Sequence, residues 1–182
     1  MKFIETGLPG AVIVEIEKLQ DQRGFFARSW CQREFEQVGM DASVVQANIS
    51  YNYRQGTLRG MHYQAEPYAE TKLVRCTRGA IYDVIIDLRP ESPTYMKWVG
   101  VELTGDNYRM LFVPKMFAHG FQTLVDESGV TYQVGQFYTP GSERGIRYND
   151  PAFDIRWPIE VRVISDKDKN WPDFQSKLTE EK

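Results

Sequence analysis

The sequence predicts an all-β sandwich of jelly-roll type, a single domain over residues 1–182 with short helices at its periphery. Three observations carry that prediction. Strand-like segments recur at short intervals from Ser43 to Tyr138, separated by Gly, Pro, Asn and Asp, with no long helical pattern between them. Aromatic residues make up 13% of the chain, and they suit a pleated, half-buried surface. At 182 residues, with 42% hydrophobic and 26% charged residues, the chain can bury one well-packed core and is short for two.

After the turn signal Pro9-Gly10, residues 11–17 (AVIVEIE) are apolar and β-branched and read as a strand. Asp21-Gln22-Arg23-Gly24 supplies turn chemistry, and residues 25–30 read as a second strand carrying three aromatics. Residues 31–38 (CQREFEQV), closed by Gly39 as a C-cap, are the helical candidate of the N-terminal half. Further strands are expected over residues 44–51, 57–63, 71–77, 80–88, 98–103, 109–113, 120–124 and 130–138. Alternation is clearest in 80–88, where Tyr82, Val84, Ile86 and Leu88 share one face and Ile81, Asp83, Ile85 and Asp87 the other. The first face is expected to be core and the second to carry two carboxylates. Past Pro140 the chain loosens into turns; residues 166–175 (DKDKNWPDFQ) read as a loop returning over the domain, and 177–182 as a frayed end.

A net charge of −3 without a basic tail argues against a nucleic-acid footprint, so any anionic ligand must be met by local arginines. No stretch approaches the ~20 apolar residues of a membrane helix, and the N-terminus lacks the apolar core of a secretory signal. Cys31 and Cys76 are too few for a disulfide framework or a zinc site. The expectation is a cytoplasmic protein with two structural thiols.

The stretch from Leu58 to Gly79 can be laid over a double-stranded β-helix (cupin) metal motif, and it keeps the frame without the ligands. Gly60 and Gly79 bracket it; His62 stands alone, with Gln64 where a second His would be, and Lys72 occupies the place of the Glu ligand seven residues before Gly79. The frame's second part is present as Pro114 followed five residues later by His119. With only two histidines, a site of three His and one Glu cannot be built, and a lysine in the Glu position sets a positive charge against a cation. No metal and no cofactor are therefore expected. Strand parity puts His62 on one face with Leu58, Gly60 and Gln64, and Arg59 on the other, so a shared pocket requires a bend or bulge at Gly60. Lys72, Val74 and Cys76 share a face, as do Val130, Tyr132, Val134, Gln136 and Tyr138. An inward His, Lys and Tyr on three strands would form a compact acid–base site. Taken singly, a strand Lys is ordinarily solvated and an inward Tyr is ordinarily core. His119 is expected at the pocket mouth.

The chain resembles the nucleotide-sugar 3,5-epimerase family in motifs spread over nearly its whole length. They include Asp21-x-Arg23-Gly24-x-Phe26, Gln46-x-Asn48-x-Ser50, residues 58–64 (LRGMHYQ), Lys72-Leu73-Val74, residues 117–121 (FAHGF), Tyr132, Tyr138, Asn149-Asp150-Pro151 and Ser165-Asp166-Lys167-Asp168. The resemblance implies a nucleotide-diphosphate sugar as substrate and a 4-keto sugar whose C3 and C5 protons are acidified by the ketone. It further implies that His62 is the base, held by Asp168, that Lys72 stabilises the enolate oxygen, and that Tyr132 is the opposed acid. Asp83 is the alternative partner of His62. Arg23, Gln46, Asn48, Arg59, His119, Tyr138, Glu143 and Lys167 are implied around the ligand, with Arg23 contributed across a homodimer interface. Arg28 stands where the family's first motif continues to Glu, which leaves inversion at C3 alone and a CDP- or GDP-linked sugar open. A metal-free 3,4-ketoisomerase and a nucleotide-sugar-binding protein without catalysis complete the alternatives.

Overall fold

A computed structural model describes residues 1–176; the expected frayed end, 177–182, lies outside them. The elements run β1 (Lys2–Glu5), β2 (Val12–Glu15), β3 (Leu19–Asp21), β4 (Gly24–Phe26), α1 (Gln32–Gln37), β5 (Gln46–Asn52), β6 (Thr57–Gln64), β7 (Lys72–Arg78) and β8 (Ala80–Asp87). They continue with β9 (Trp98–Thr104), β10 (Met110–Val113), β11 (Phe117–Thr123), β12 (Ser128–Val134), β13 (Glu143–Gly145), β14 (Val163–Ile164) and α2 (Asp166–Lys169). One sheet has the order β1-β2-β10-β7-β12-β5 and the other β13-β6-β11-β8-β9, with β14 joining β6 in parallel; β3 and β4 form a separate hairpin. This is the expected two-sheet jelly roll of the cupin type.

Residues alternating inward from both sheets make the central core: Val74, Cys76, Ile81, Ile85, Leu103, Leu111, Val113, Phe117, Phe121 and Val130. On the outside of the first sheet, Val12, Val14, Leu73, Met110 and Phe112 are covered by Phe35 of α1. The outer face of the second sheet (Met61, Val84, Ile86, Leu88, Ala118) is covered by the C-terminal segment through Ile146, Phe153 and Ile155.

That last layer corrects the reading of 80–88. Both faces of β8 are buried, and the face carrying Asp83 and Asp87 is the one turned between the sheets with Ile81 and Ile85. Alternation separates the two faces of a strand but does not say which is covered. Asp87 is satisfied where it is buried, accepting hydrogen bonds from Arg89, Ser92 and Thr94.

Other departures are local. The strand expected over 25–30 shortens to Gly24–Phe26, the partner of Leu19–Asp21 across a turn in which Asp21 accepts from the Arg23 N–H at 2.8 Å. The strand expected to reach Tyr138 stops at Val134, so Gln136 and Tyr138 lie beyond it. The strand begun at Gly120 starts instead at Phe117, which places His119 within β11. The expected loop 166–175 opens with α2, capped by Ser165, whose hydroxyl accepts from the Asp168 N–H at 3.1 Å. Cys31 and Cys76 are free thiols; burial pushes the Cys76 thiol up to about 11, in keeping with a structural role.

Candidate active site

A cavity of about 690 Å³ opens between the two sheets at the end of the central core. On β7 the inward residues Val74 and Cys76 belong to the core, and Lys72, next on the same face, enters the cavity. On β12 Val130 is core, while Tyr132 and Val134 line the cavity. The first sheet thus supplies Lys72, Tyr132, Gln46 and Asn48, and the second supplies Arg59, His62 and His119.

The bend expected at Gly60 is present. His62 pairs with His119 and Arg59 with Phe121 in the β6–β11 register, so three steps on β6 match two on β11. The extra residue brings Arg59 and His62, an odd number of residues apart, to one cavity. Only glycine fits at the bulge: φ is +124°, and a Cβ on Gly60 would lie 2.5 Å from Gly120 Cα and 2.9 Å from the His119 carbonyl oxygen.

His62 is half-buried, and its Nε2 lies 2.6 Å from Asp168 Oδ1. The other carboxyl oxygen of Asp168 accepts from the Gly60 N–H at 3.2 Å. Burial works to raise the Asp168 carboxyl, but hydrogen bonding and charge from His62, with Gly60 and Ser165, outweigh it and hold the group below its ordinary value. An ionised Asp168 only accepts, so Nε2 of His62 is the nitrogen that donates to it.

Asp83 is not the partner of His62. Its Oδ1 lies 2.7 Å from His119 Nε2, and both side chains are buried, which also moves His119 from the expected cavity mouth into the cavity wall. Asp83 Oδ2 has no partner among the described residues.

Lys72 Nζ lies 2.7 Å from Glu70 Oε1, and Gln64 Nε2 donates to Glu70 Oε2 at 3.3 Å. Glu70 is a cavity residue that the sequence did not single out, since a carboxylate in a polar loop carries no periodic signal. At the rim, Lys167 Nζ meets Glu143 Oε2 at 2.5 Å, and that contact raises the lysine. Gln46 Nε2 donates to Asn48 Oδ1 at 3.0 Å, and Tyr138 stands exposed at the rim.

Four basic side chains of the cavity therefore have acidic partners: His62 with Asp168, Lys72 with Glu70, His119 with Asp83 and Lys167 with Glu143. Arg59 differs. Among the described residues its Nε donates to the neutral amide oxygen of Asn52 at 2.7 Å and it has no ion pair. The Tyr132 phenol is pushed above the ordinary tyrosine range by burial, with Arg59 pulling it down and Glu70 adding to the rise.

Arg23 is not brought to this cavity. It lies on the β3–β4 hairpin, 90% exposed, paired with Asp21. Arg28 also stands apart and pairs with Glu34 at 2.6 Å. No group of three or more His, Cys, Asp or Glu among the described residues is placed to hold a metal ion.

A family model described as dTDP-4-dehydrorhamnose 3,5-epimerase matches residues 5–176. A Shigella flexneri protein of that name is 46% identical over 175 residues, covering 96% of each chain. The crystal structure of dTDP-4-dehydrorhamnose 3,5-epimerase from Elizabethkingia anophelis superposes with a TM-score of 0.94 at 37% identity, over 97% of this chain and 98% of that one. The enzyme of the same name from Bacillus anthracis, with TDP and PPi bound, superposes with a TM-score of 0.91 at 44% identity, over 95% and 99% of the two chains. The full-length match in sequence and fold settles the family: this chain belongs to the dTDP-4-dehydrorhamnose 3,5-epimerases.

Proposed function

We propose that the cavity inverts C3 and C5 of a dTDP-linked 4-keto-6-deoxy sugar, with His62 as base, Lys72 as the cation at the ketone oxygen and Tyr132 as acid. The observation that carries this reading is the placement of His62 and Tyr132, which enter one cavity from opposite sheets. Inversion at carbon needs a proton removed from one face and another delivered to the opposite face.

The steps follow from the side chains. Nδ1 of His62 takes the proton from the carbon beside the ketone, and the electron pair moves onto the ketone oxygen as an enolate. The Lys72 ammonium donates a hydrogen bond to that oxygen as its charge develops. Tyr132 then gives its phenolic proton to the carbon from the far side, the ketone re-forms, and solvent returns a proton to the phenolate. Asp168 orients His62 and stabilises the imidazolium. The raised phenol keeps its proton at neutral pH, as a proton donor must.

Arg59, without an acidic partner among the described residues, supplies positive charge for the diphosphate, with His119 and Lys167 in the same cavity. Tyr138 at the rim suits stacking on the base, and Gln46, Asn48 and Glu143 suit the sugar and nucleoside hydroxyls. The Bacillus anthracis relative holds TDP and PPi, in keeping with this division.

Arg23 enters through a second copy of the chain. Its hairpin exposes Leu19 and Phe26, and the edge strand β5 exposes Ile49, apolar side chains suited to a homodimer in which Arg23 reaches the partner's cavity. The described chain has no helix long and apolar enough to cross a membrane, and two free thiols suit the reducing cytoplasm.

The test is incubation with the dTDP-linked 4-keto-6-deoxy sugar in deuterated buffer. Deuterium at C3 and C5, with an inverted product, supports the reading. A carbonyl moved to C3 indicates a ketoisomerase, and saturable binding without exchange indicates a binding protein.

A further inference from the structure

We infer that Glu70 is a positioning residue for this reaction: its carboxylate, clamped by Gln64, holds the Lys72 amino group aimed at the sugar ketone. The inference rests on the assignment of Lys72 to the developing enolate.

The side chains of Lys72 and Glu70 are only 9% and 13% exposed. A lysine on a flexible four-carbon stem needs a fixed partner to keep its amino group at one point in the cavity. The carboxylate 2.7 Å away is that partner. It cannot swing aside easily, because its second oxygen accepts from Gln64. Gln64 is itself buried and fixed at both ends of its amide. Its Nε2 shares two N–H groups among Glu70, the Tyr68 carbonyl at 3.1 Å and the Phe137 carbonyl at 3.2 Å, and its Oε1 accepts from the Thr139 N–H and the Ser142 hydroxyl, both at 2.8 Å.

An ammonium has three N–H donors. Glu70 is the one partner of Lys72 among the described residues, so donors remain for a ketone oxygen in the cavity. As the enolate forms, Lys72 is shared between two anions. The same carboxylate acts on Tyr132, adding to burial in holding the phenolic proton. Glu70 thus supports the oxyanion cation and the acid from one position without touching substrate. Gln64 and Lys72, which stand where the cupin frame carries a His and a Glu, are bridged through it.

The test uses the full chain and the dTDP-linked 4-keto-6-deoxy sugar, with E70Q, E70D, K72M and the E70Q/K72M double variant. E70Q is expected to lower kcat by about tenfold to hundredfold while KM stays within about threefold, since the lost interaction belongs to the transition state. In the K72M background, E70Q should cause a much smaller further loss in the rate of deuterium entry, because Glu70 acts chiefly through Lys72. A wild-type kcat for E70Q would overturn the inference, as would a loss that adds in full to that of K72M. Should E70Q fail to fold, E70D carries the test: a carboxylate one methylene short must lower kcat at unchanged KM, and a wild-type kcat overturns the inference. Deuterium entry with the wild-type protein is read separately. Its absence defeats the underlying assignment, whereas its presence with an unaltered E70Q defeats only the role of Glu70.

Discussion

Nε2 of His62 and Oδ1 of Asp168 lie 2.6 Å apart although 106 positions separate them in the chain. The contact joins a central strand of one sheet to a four-residue helix of the C-terminal segment. Docking of that segment therefore builds the base. Asp168→Asn should keep the fold and lower kcat by about a hundredfold or more, because an amide no longer fixes the imidazole tautomer or stabilises its cation.

The same contact sets an acid-side dependence of stability. Asp168 is depressed below its ordinary value of 3.8 in the folded chain, so the unfolded chain binds the proton more tightly. The stabilisation is present above the ordinary value and is lost as pH falls through the folded one. Thermal melts recorded on acidification should show Asp168→Asn losing less stability below pH ~4 than the wild type.

Gly60 is where backbone geometry and catalysis meet. Gly60→Ala puts a methyl group 2.5 Å from Gly120 Cα at a φ of +124°, where both neighbours are backbone. A loss of about 2 kcal/mol or more is expected in denaturant unfolding, with the activity that survives showing a raised KM, since Arg59 and His62 share the cavity only through this bulge.

Much of the site was legible in the strands. Parity alone placed Lys72 beside Val74 and Tyr132 beside Val130, and the odd separation of Arg59 and His62 required the bulge that Gly60 makes. The parts that were not legible depend on pairing rather than on local pattern. Strands β13 and β14 are three and two residues long and exist as partners of β6, so neither has an alternation to read. Asp168 sits in a charged run whose loop-like composition hides a capped turn of helix. Asp83 was open as a partner of His62 because alternation could not show that the C-terminal segment covers the opposite face of its strand. Glu70 had no signal at all.

Arg59 separates binding from chemistry. As the cavity cation without an acidic partner among the described residues, it offers the diphosphate a charge that no carboxylate already holds. Arg59→Ala should raise KM by about tenfold to hundredfold and leave kcat within about threefold, the signature of binding lost equally in ground and transition states. The loss should shrink as salt is added. Steady-state kinetics at two ionic strengths check both.

The claim at the centre of the account is that His62 and Tyr132 act on opposite faces of one sugar, and Tyr132→Phe tests it most directly. With the base and Lys72 intact, enolate formation continues, but the proton can return only from the side it left. NMR of the sugar after incubation in deuterated buffer should show deuterium at the exchanging carbon with the original configuration retained, and no exchange in His62→Ala. An inverted product formed by Tyr132→Phe at the wild-type rate would contradict the assignment of Tyr132 as the acid.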